Sequence, residues 1–162
     1  MHKKFLIGDT HFGHKAMLEY RNFKTMDYHN NAIIDNWNSV VNKKDTVWVL
    51  GDVAFGAAFV SCIEKCNGYK KLVMGNHDLQ SVIKYRQYFG QIYGIIRVND
   101  FILSHAPIHP NELKYRWKYN VHGHIHHKEN NIDDPRYFNV NADVIGLTPI
   151  AFDEVLAQLE AR

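Results

Sequence analysis

The sequence predicts an α/β sandwich, and three observations carry that prediction. The first half alternates short β-rich runs with helical ones, whereas the second half strings short strands together, an order that suits helices packed on a sheet-based core. The 162 residues are 46% hydrophobic, enough to bury one sizeable core and too few for two ordinary domains, so a single domain over 1–162 is expected. Finally, five apolar runs terminate in residues that bind metals.

The elements follow in chain order. Lys4-Phe5-Leu6-Ile7 reads as a strand. From Asp27 to Val41 the apolar residues Ile33, Ile34, Trp37, Val40 and Val41 recur at helical spacing, with Asp27 as the N-cap. Thr46-Val47-Trp48-Val49-Leu50 is a continuous apolar run of the kind buried on both faces of a sheet. A helix over Ala57 to Cys66 is stopped by Asn67-Gly68. Lys71-Leu72-Val73-Met74 is a third strand, and Leu79 to Phe89 reads as helical through Leu79, Val82, Ile83 and Phe89. Ile95–Val98 and Phe101–Leu103, joined by Asn99-Asp100, form a hairpin. Tyr119–Val121 and Tyr137–Val140 are further strands, and Pro149-Ile150 leads into a last helix capped by Asp153, with Val155, Leu156 and Leu159 facing inward.

Composition narrows the function. Aromatic residues at 13% exclude disorder, and no apolar run approaches the roughly 18 residues of a membrane span. Nineteen Lys+Arg against 17 Asp+Glu leave a net charge of +2, which demands no polyanionic partner. Met1-His2-Lys3-Lys4 begins like a signal peptide, but the apolar stretch behind it stops at Gly8-Asp9, too early for one. Cys62 and Cys66 share one helical face and read as core packing in a reducing, cytoplasmic compartment. Eleven histidines exceed the roughly three or four of an average chain, which points to metal chemistry.

The strand ends sharpen that hint. Phe5–Gly8 ends in Asp9, Val47–Gly51 in Asp52, Leu72–Gly75 in Asn76-His77-Asp78, Phe101–Ser104 in His105, and Asn120–Gly123 in His124-Ile125-His126. Any one of these alone reads as a turn residue, a helix cap or a satisfied histidine. Together they are a ligand set, because strand carboxyl ends in α/β sheets converge on one crevice. Asp9 and His11, like His124 and His126, are two residues apart, a spacing at which extended side chains point the same way. Carboxylate and amide oxygen with imidazole nitrogen suit Mn, Fe, Zn, Co or Ni. Seven such residues are too many for one ion and about right for two sharing a bridging carboxylate, the arrangement that clamps phosphorus and acidifies a bridging water. Neither a G-x-S-x-G nucleophile motif nor a phosphate-binding P-loop is present.

These residues, Asp9-Thr10-His11, Gly51-Asp52, Gly75-Asn76-His77-Asp78, His105 and Gly123-His124-Ile125-His126, resemble the calcineurin-like metallophosphoesterases. Asp9 to His14, Trp37-Asn38 and Leu50–Val53 look like a small bacterial and phage branch of that family. The resemblance implies a two-sheet β-sandwich flanked by α-helices, with a dinuclear metal site at the strand C-terminal ends. It implies one ion held by Asp9, His11, Asp52 and His126 and another by Asp52, Asn76, His105 and His124, with Mn2+ favoured and Fe, Zn, Ni, Co or Mg as alternatives. It assigns catalysis to His77, as an acid facing the leaving group, oriented by Asp78. The implied reaction is phosphodiester hydrolysis by a bridging hydroxide, with a phosphomonoesterase or a non-catalytic scaffold as the alternatives. A phosphate-ester substrate, plausibly nucleotide-type, is the expected partner, with no membrane and no obligatory nucleic acid.

Outside the motif, His14, Arg21 and Arg116 are candidate substrate-phosphate contacts, with Lys15 and Lys114 beside them on the expected rims. Tyr20, Tyr115 and Trp117 are candidates for stacking a base, against packing as the simpler role. His122 is placed behind the ligands and His127 at the surface.

Overall fold

The computed structural model describes residues 2–127 and 132–162; Met1, the first residue of the basic start, lies outside them. Two sheets pack face to face. The first has the order β4-β3-β2-β1-β9, built from β1 (Lys4–Ile7), β2 (Thr46–Val49), β3 (Tyr69–Val73), β4 (Gln91–Tyr93) and β9 (Ile150–Ala151). Its first four strands are parallel, and β9 runs antiparallel to β1. The second sheet has the order β5-β6-β7-β8, from β5 (Ile95–Val98), β6 (Phe101–Ser104), β7 (Tyr119–His122) and β8 (Tyr137–Asn139). The expected hairpin is the antiparallel β5–β6 pair, while β6, β7 and β8 are parallel.

Strand alternation divides the core into layers. Leu6, Trp48, Leu50 and Val73 point between the sheets, where they meet Phe101, Leu103, Val121 and Phe138. Their neighbours Phe5, Ile7, Val47, Val49 and Leu72 point the other way, onto α2 (Met26–Val40) and α3 (Ala58–Ile63) through Ile33, Trp37, Phe59 and Ile63. A two-residue period is what allows one strand to serve both faces. Helix α5 (Phe152–Glu160) inserts Phe152, Val155 and Leu159 between the sheets, while Leu156 stays only partly buried. Cys62 and Cys66 are free and buried, and burial pushes the Cys66 thiol up to about 12, so neither is poised for redox chemistry.

Several local expectations are corrected. Helix α2 is capped by Thr25, whose hydroxyl accepts from the Tyr28 amide, and Asp27 sits in the first turn as a charge favourable to the helix dipole. Helix α5 starts after the extended residue Ala151, which again leaves Asp153 in the first turn rather than at the cap. Helix α3 ends at Ile63, short of Cys66. The helix expected over Leu79–Phe89 shrinks to α4 (Val82–Tyr85), capped by Ser81. Leu79 and Ile83 are left 81% and 78% exposed, while Tyr85 and Phe89 take the buried places. The cause is Asp78, whose carboxylate is drawn inward by backbone amides, so that the chain leaves β3 through a turn. Strands β4 and β9 and the short helix α1 (Ala16–Tyr20) escape the sequence reading because two to five residues hold no usable period.

The parallel strands β1, β2, β3, β6 and β7 all bring their carboxyl ends to one edge of the sandwich. Their ladders run on past the regular strands: the Asp9 amide donates to the Gly51 carbonyl, Gly8 to Val140, and Gly123 to His105. Trp37 shows how tightly the helical layer is attached, being fully buried with its indole N–H on the Asn67 carbonyl at 2.9 Å. Replacing Trp37 with Ala is expected to lower unfolding free energy by about 3–5 kcal/mol in urea titrations.

Candidate metal centre

Two carboxylates form the base of the site. Asp9 Oδ2 accepts the His124 amide at 2.8 Å, and Asp52 Oδ1 accepts the His77 amide at 2.8 Å. Each carboxylate is thus held by a backbone donor from a different strand end, which fixes its rotamer and leaves the second oxygen to face inward. These approaches need glycine: a Cβ on Gly123 would strike Asp9 Oδ2, and one on Gly75 would strike Asp52 Oδ1. Asp9, His11, Asp52 and His124 themselves hold φ values of 57°, 49°, 52° and 67°, a strained region for these residues that the surrounding hydrogen bonds enforce.

Three imidazoles meet the inward oxygens. Nε2 of His11 lies 3.9 Å from Asp9 Oδ1 and 3.7 Å from Asp52 Oδ2. Nε2 of His126 lies 3.8 Å from Asp9 Oδ1, and Nε2 of His105 lies 3.5 Å from Asp52 Oδ2. The donor atoms of Asp9, His11 and His126, and those of Asp9, Asp52 and His105, each lie within 4.8 Å of one another, so either group could hold an ion. His105 joins the last two expected ligands, with Nε2 2.8 Å from Asn76 Oδ1 and 3.1 Å from His124 Nδ1. The structure therefore brings all seven predicted residues to one place.

The orientation of the donor atoms fits a cation. His105 Nδ1 is 2.8 Å from the Leu50 carbonyl and donates to it, which turns Nε2 toward Asp52. His126 is fixed likewise, its Nδ1 at 2.7 Å from Asp143 Oδ2, with Nε2 turned to Asp9. Asp9 Oδ1 and His11 Nε2 are buried without a hydrogen-bond partner among the described residues. Lone pairs facing one another across 3.5–3.9 Å are the spacing left by ligands that share an ion at about 2.0–2.2 Å. Burial raises Asp9 well above the usual carboxylate range, a cost that an adjacent cation relieves, and pushes His11 down to about 2, which keeps its ring in the neutral form that ligates.

Two expected roles change. Asp78 does not turn to His77; its Oδ2 accepts the Asp52 and Gly75 amides at 2.9 and 2.8 Å, and its Oδ1 the Val53 amide at 3.0 Å. Asp78 therefore braces the ends of β2 and β3. Arg21, a candidate phosphate contact, is turned inward: its side chain is 3% exposed, with its guanidinium on Asp143 at 2.7 and 3.0 Å and on the Asp9 and Thr10 carbonyls at 2.7 and 2.9 Å. A guanidinium so occupied positions the ligand loop rather than clamping phosphate.

The remaining candidates divide by position. His77 is exposed, and its ring lies 5.9 Å from His11, 6.3 Å from His14 and 5.5 Å from Phe55. His14 stacks on Phe55 at 4.0 Å, which places it on the wall of the site. Tyr20 sets its edge against His126 at 5.7 Å, and its hydroxyl is 3.1 Å from His127 Nδ1. Lys15 is exposed at the start of α1. Arg116 belongs elsewhere: Lys118, two residues on, donates to the Asp100 carbonyl at the starting end of β6 and β7, a strand's length from His105. Lys114 and Tyr115 share that far segment, and Trp117 packs on the outer face of the second sheet with Ile102 and Leu113. His122 lies buried behind the ligands, its Nδ1 on the Gly123 carbonyl.

Asp143 and Phe55 are the residues that sequence reasoning missed. Asp143 joins Arg21 to His126, and although burial would raise its pKa, hydrogen bonds from those two side chains hold it down at about 2. The signal was a carboxylate at the end of the alternating stretch Asn139-Val140-Asn141-Ala142-Asp143. Such a carboxylate fixes the tautomer and orientation of a ligating histidine. Asp143→Asn is expected to weaken metal binding about 10- to 100-fold in calorimetric titration, with the far-ultraviolet circular dichroism spectrum unchanged.

Comparisons with known proteins agree with this geometry. Residues 3–158 match the sequence profile of the calcineurin-like phosphoesterases. An uncharacterized protein of Methanocaldococcus jannaschii is 31% identical over 99% of this chain and 93% of its own length. The Gene 66 protein of Mycobacterium phage L5 is 29% identical over 78% of each chain. The crystal structure of a protein of unknown function from Aquifex aeolicus superposes with a TM-score of 0.78 at 24% identity, covering 97% of this chain and 99% of that one, a likeness of fold. With the profile spanning nearly every residue and its motif side chains gathered at one sheet edge, the chain belongs to the calcineurin-like phosphoesterases, a family of metal-dependent phosphoric ester hydrolases.

Proposed function

We propose that this protein is a single-domain phosphodiesterase that works with two divalent ions, Mn2+ being favoured over Fe, Zn, Ni, Co or Mg. One observation carries the reading. Asp52 Oδ2 stands between two ligand groups, 3.7 Å from His11 and 3.5 Å from His105, so one oxygen faces both. Asp9, His11 and His126 would complete one set, and Asn76, His105 and His124 the other. When bound, such a pair supplies neutralising charge for the phosphoryl oxygens and a water acidified toward neutral pH.

The chain's own residues do the rest. The His124 and His77 amides hold the two carboxylates in place, and Asp143 and Leu50 hold the imidazoles of His126 and His105 with their lone pairs inward. His77, exposed beside His11, donates a proton to the departing ester oxygen, while its own backbone amide keeps it in register with Asp52. Asn76 and His77 are both exposed, so the site opens to solvent and suits a phosphate with two ester arms, nucleotide-type esters among them. No helix among the described residues is long and apolar enough to cross a membrane. Two buried free thiols support a reducing, cytoplasmic setting.

The test is hydrolysis of bis(p-nitrophenyl) phosphate against p-nitrophenyl phosphate, after chelation and after each metal is restored. Chelation is expected to abolish turnover, and the restored protein to favour the diester; preference for the monoester would make it a phosphatase. His77→Ala is expected to keep close to two ions per chain while kcat falls by about 10²- to 10⁴-fold; loss of the metals instead would refute the division of roles. Asp52→Ala is expected to lose both ions together by elemental analysis, and loss of one alone would exclude the bridge.

A further inference from the structure

Helix α2 carries a buried imidazole that takes no part in the reaction above. His29 stands near the start of that helix, fully buried, with its ring perpendicular to Phe23 at 5.3 Å. Its partners settle the role of each nitrogen. Nδ1 is 3.0 Å from Asn30 Oδ1, an acceptor that also receives the Gly13 amide at 3.1 Å, so Nδ1 carries the proton. Nε2 is 2.9 Å from Arg21 Nη1, a group that only donates, so Nε2 presents its lone pair. Burial, with the guanidinium adding to it, holds the ring in this neutral form.

Arg21 has five N–H donors in a rigid fork, and all five are occupied. Nε and Nη2 bind the Asp143 carboxylate at 2.7 and 3.0 Å, and Nη2 also binds the Asp9 carbonyl at 2.7 Å. Nη1 binds the Thr10 carbonyl and His29, each at 2.9 Å. His29 thus takes the one donor that no carbonyl or carboxylate takes. Without its lone pair the fork holds a buried N–H with no acceptor, which is costly. A planar group that turns to find another acceptor carries its grip on Asp143 with it, and Asp143 holds His126 Nδ1 at 2.7 Å.

Resting on the two-ion reading above, we propose that His29 is a positioning residue for one ion alone. Through Arg21 and Asp143 it aims His126 Nε2 at the ion shared with Asp9 and His11. The other set is held by bonds of its own: His105 by the Leu50 carbonyl, with Asn76 and His124 against its Nε2.

The experiment is calorimetric titration of the chelator-treated full chain with Mn2+, the step lost in His126→Ala marking the ion concerned. His29→Phe keeps a ring against Phe23 and removes both nitrogens. It is expected to weaken that step about tenfold and to leave the other step unchanged. His29→Gln, whose amide oxygen falls about where Nε2 lies, is expected to restore the affinity. In the Asp143→Asn background His29→Phe is expected to add nothing, because the two act in series. An unchanged step, equal weakening of both steps, no rescue by Gln, or losses that multiply in the double variant would each overturn the proposal. If His29→Phe does not fold, long-range nitrogen–proton NMR of the wild type decides, with a proton expected on Nδ1 of His29; a proton on Nε2 would overturn it. A single binding step in the wild type would instead overturn the two-ion reading, and the affinity of that one ion in His29→Phe and His29→Gln would still decide the role of His29.

Discussion

Asp9 and Asp52 each have one oxygen tied to a backbone amide and one turned into a space shared with imidazoles, and the organisation of the site rests on that division. An amide donor to a carboxylate is worth about 1.5–3 kcal/mol, enough to hold a side chain that would otherwise turn its charge to water. Because the donors are His124 for Asp9 and His77 for Asp52, the bonds also join β1 to the loop after β7, and β2 to the turn after β3. The site is thereby a crosslink between the two sheets as well as a candidate ligand cluster.

Behind it runs a buried polar network. Asn30 Oδ1 receives the Gly13 amide at 3.1 Å and the His29 ring at 3.0 Å, while Arg21 reaches His29, the Asp9 and Thr10 carbonyls and Asp143. Asp143 in turn orients His126. Helix α2, the loop after β1 and the segment after β8 therefore act as one unit. Such networks are costly when partly satisfied and confer rigidity when complete. Here the rigidity keeps Asp9, His11, Asp52 and His124 at positive φ, while Gly123 and Gly75, which lack a Cβ, let the Asp9 and Asp52 carboxylates come close.

Motif chemistry is the part of the site that could be read directly. Asp9, His11, Asp52, Asn76, His105, His124 and His126 were all legible, because each follows an apolar run and strand ends in α/β sheets converge. Roles that depend on where a side chain turns were not legible. Asp78 is adjacent to His77 in sequence yet braces Asp52, Val53 and Gly75, since three backbone amides bind a carboxylate better than one exposed ring does. Arg116 follows His105 by a modest stretch of chain, but the connection doubles back along the sheet and carries it to the far end. Tyr20 and Asp143 come to His126 only through the packing of α1 and the return of the chain after β8.

By itself, then, the amino-acid order determined most of the strands and the kinds of donor atom at their ends, because these follow from local periodicity and residue chemistry. The tertiary structure decided which oxygen of each carboxylate is free, which ring nitrogen carries a proton, and which cation is an internal brace instead of a substrate contact. Those depend on hydrogen bonds between residues such as Arg21 and Asp143, far apart in the chain, and no local pattern encodes a contact whose partner is supplied by the fold.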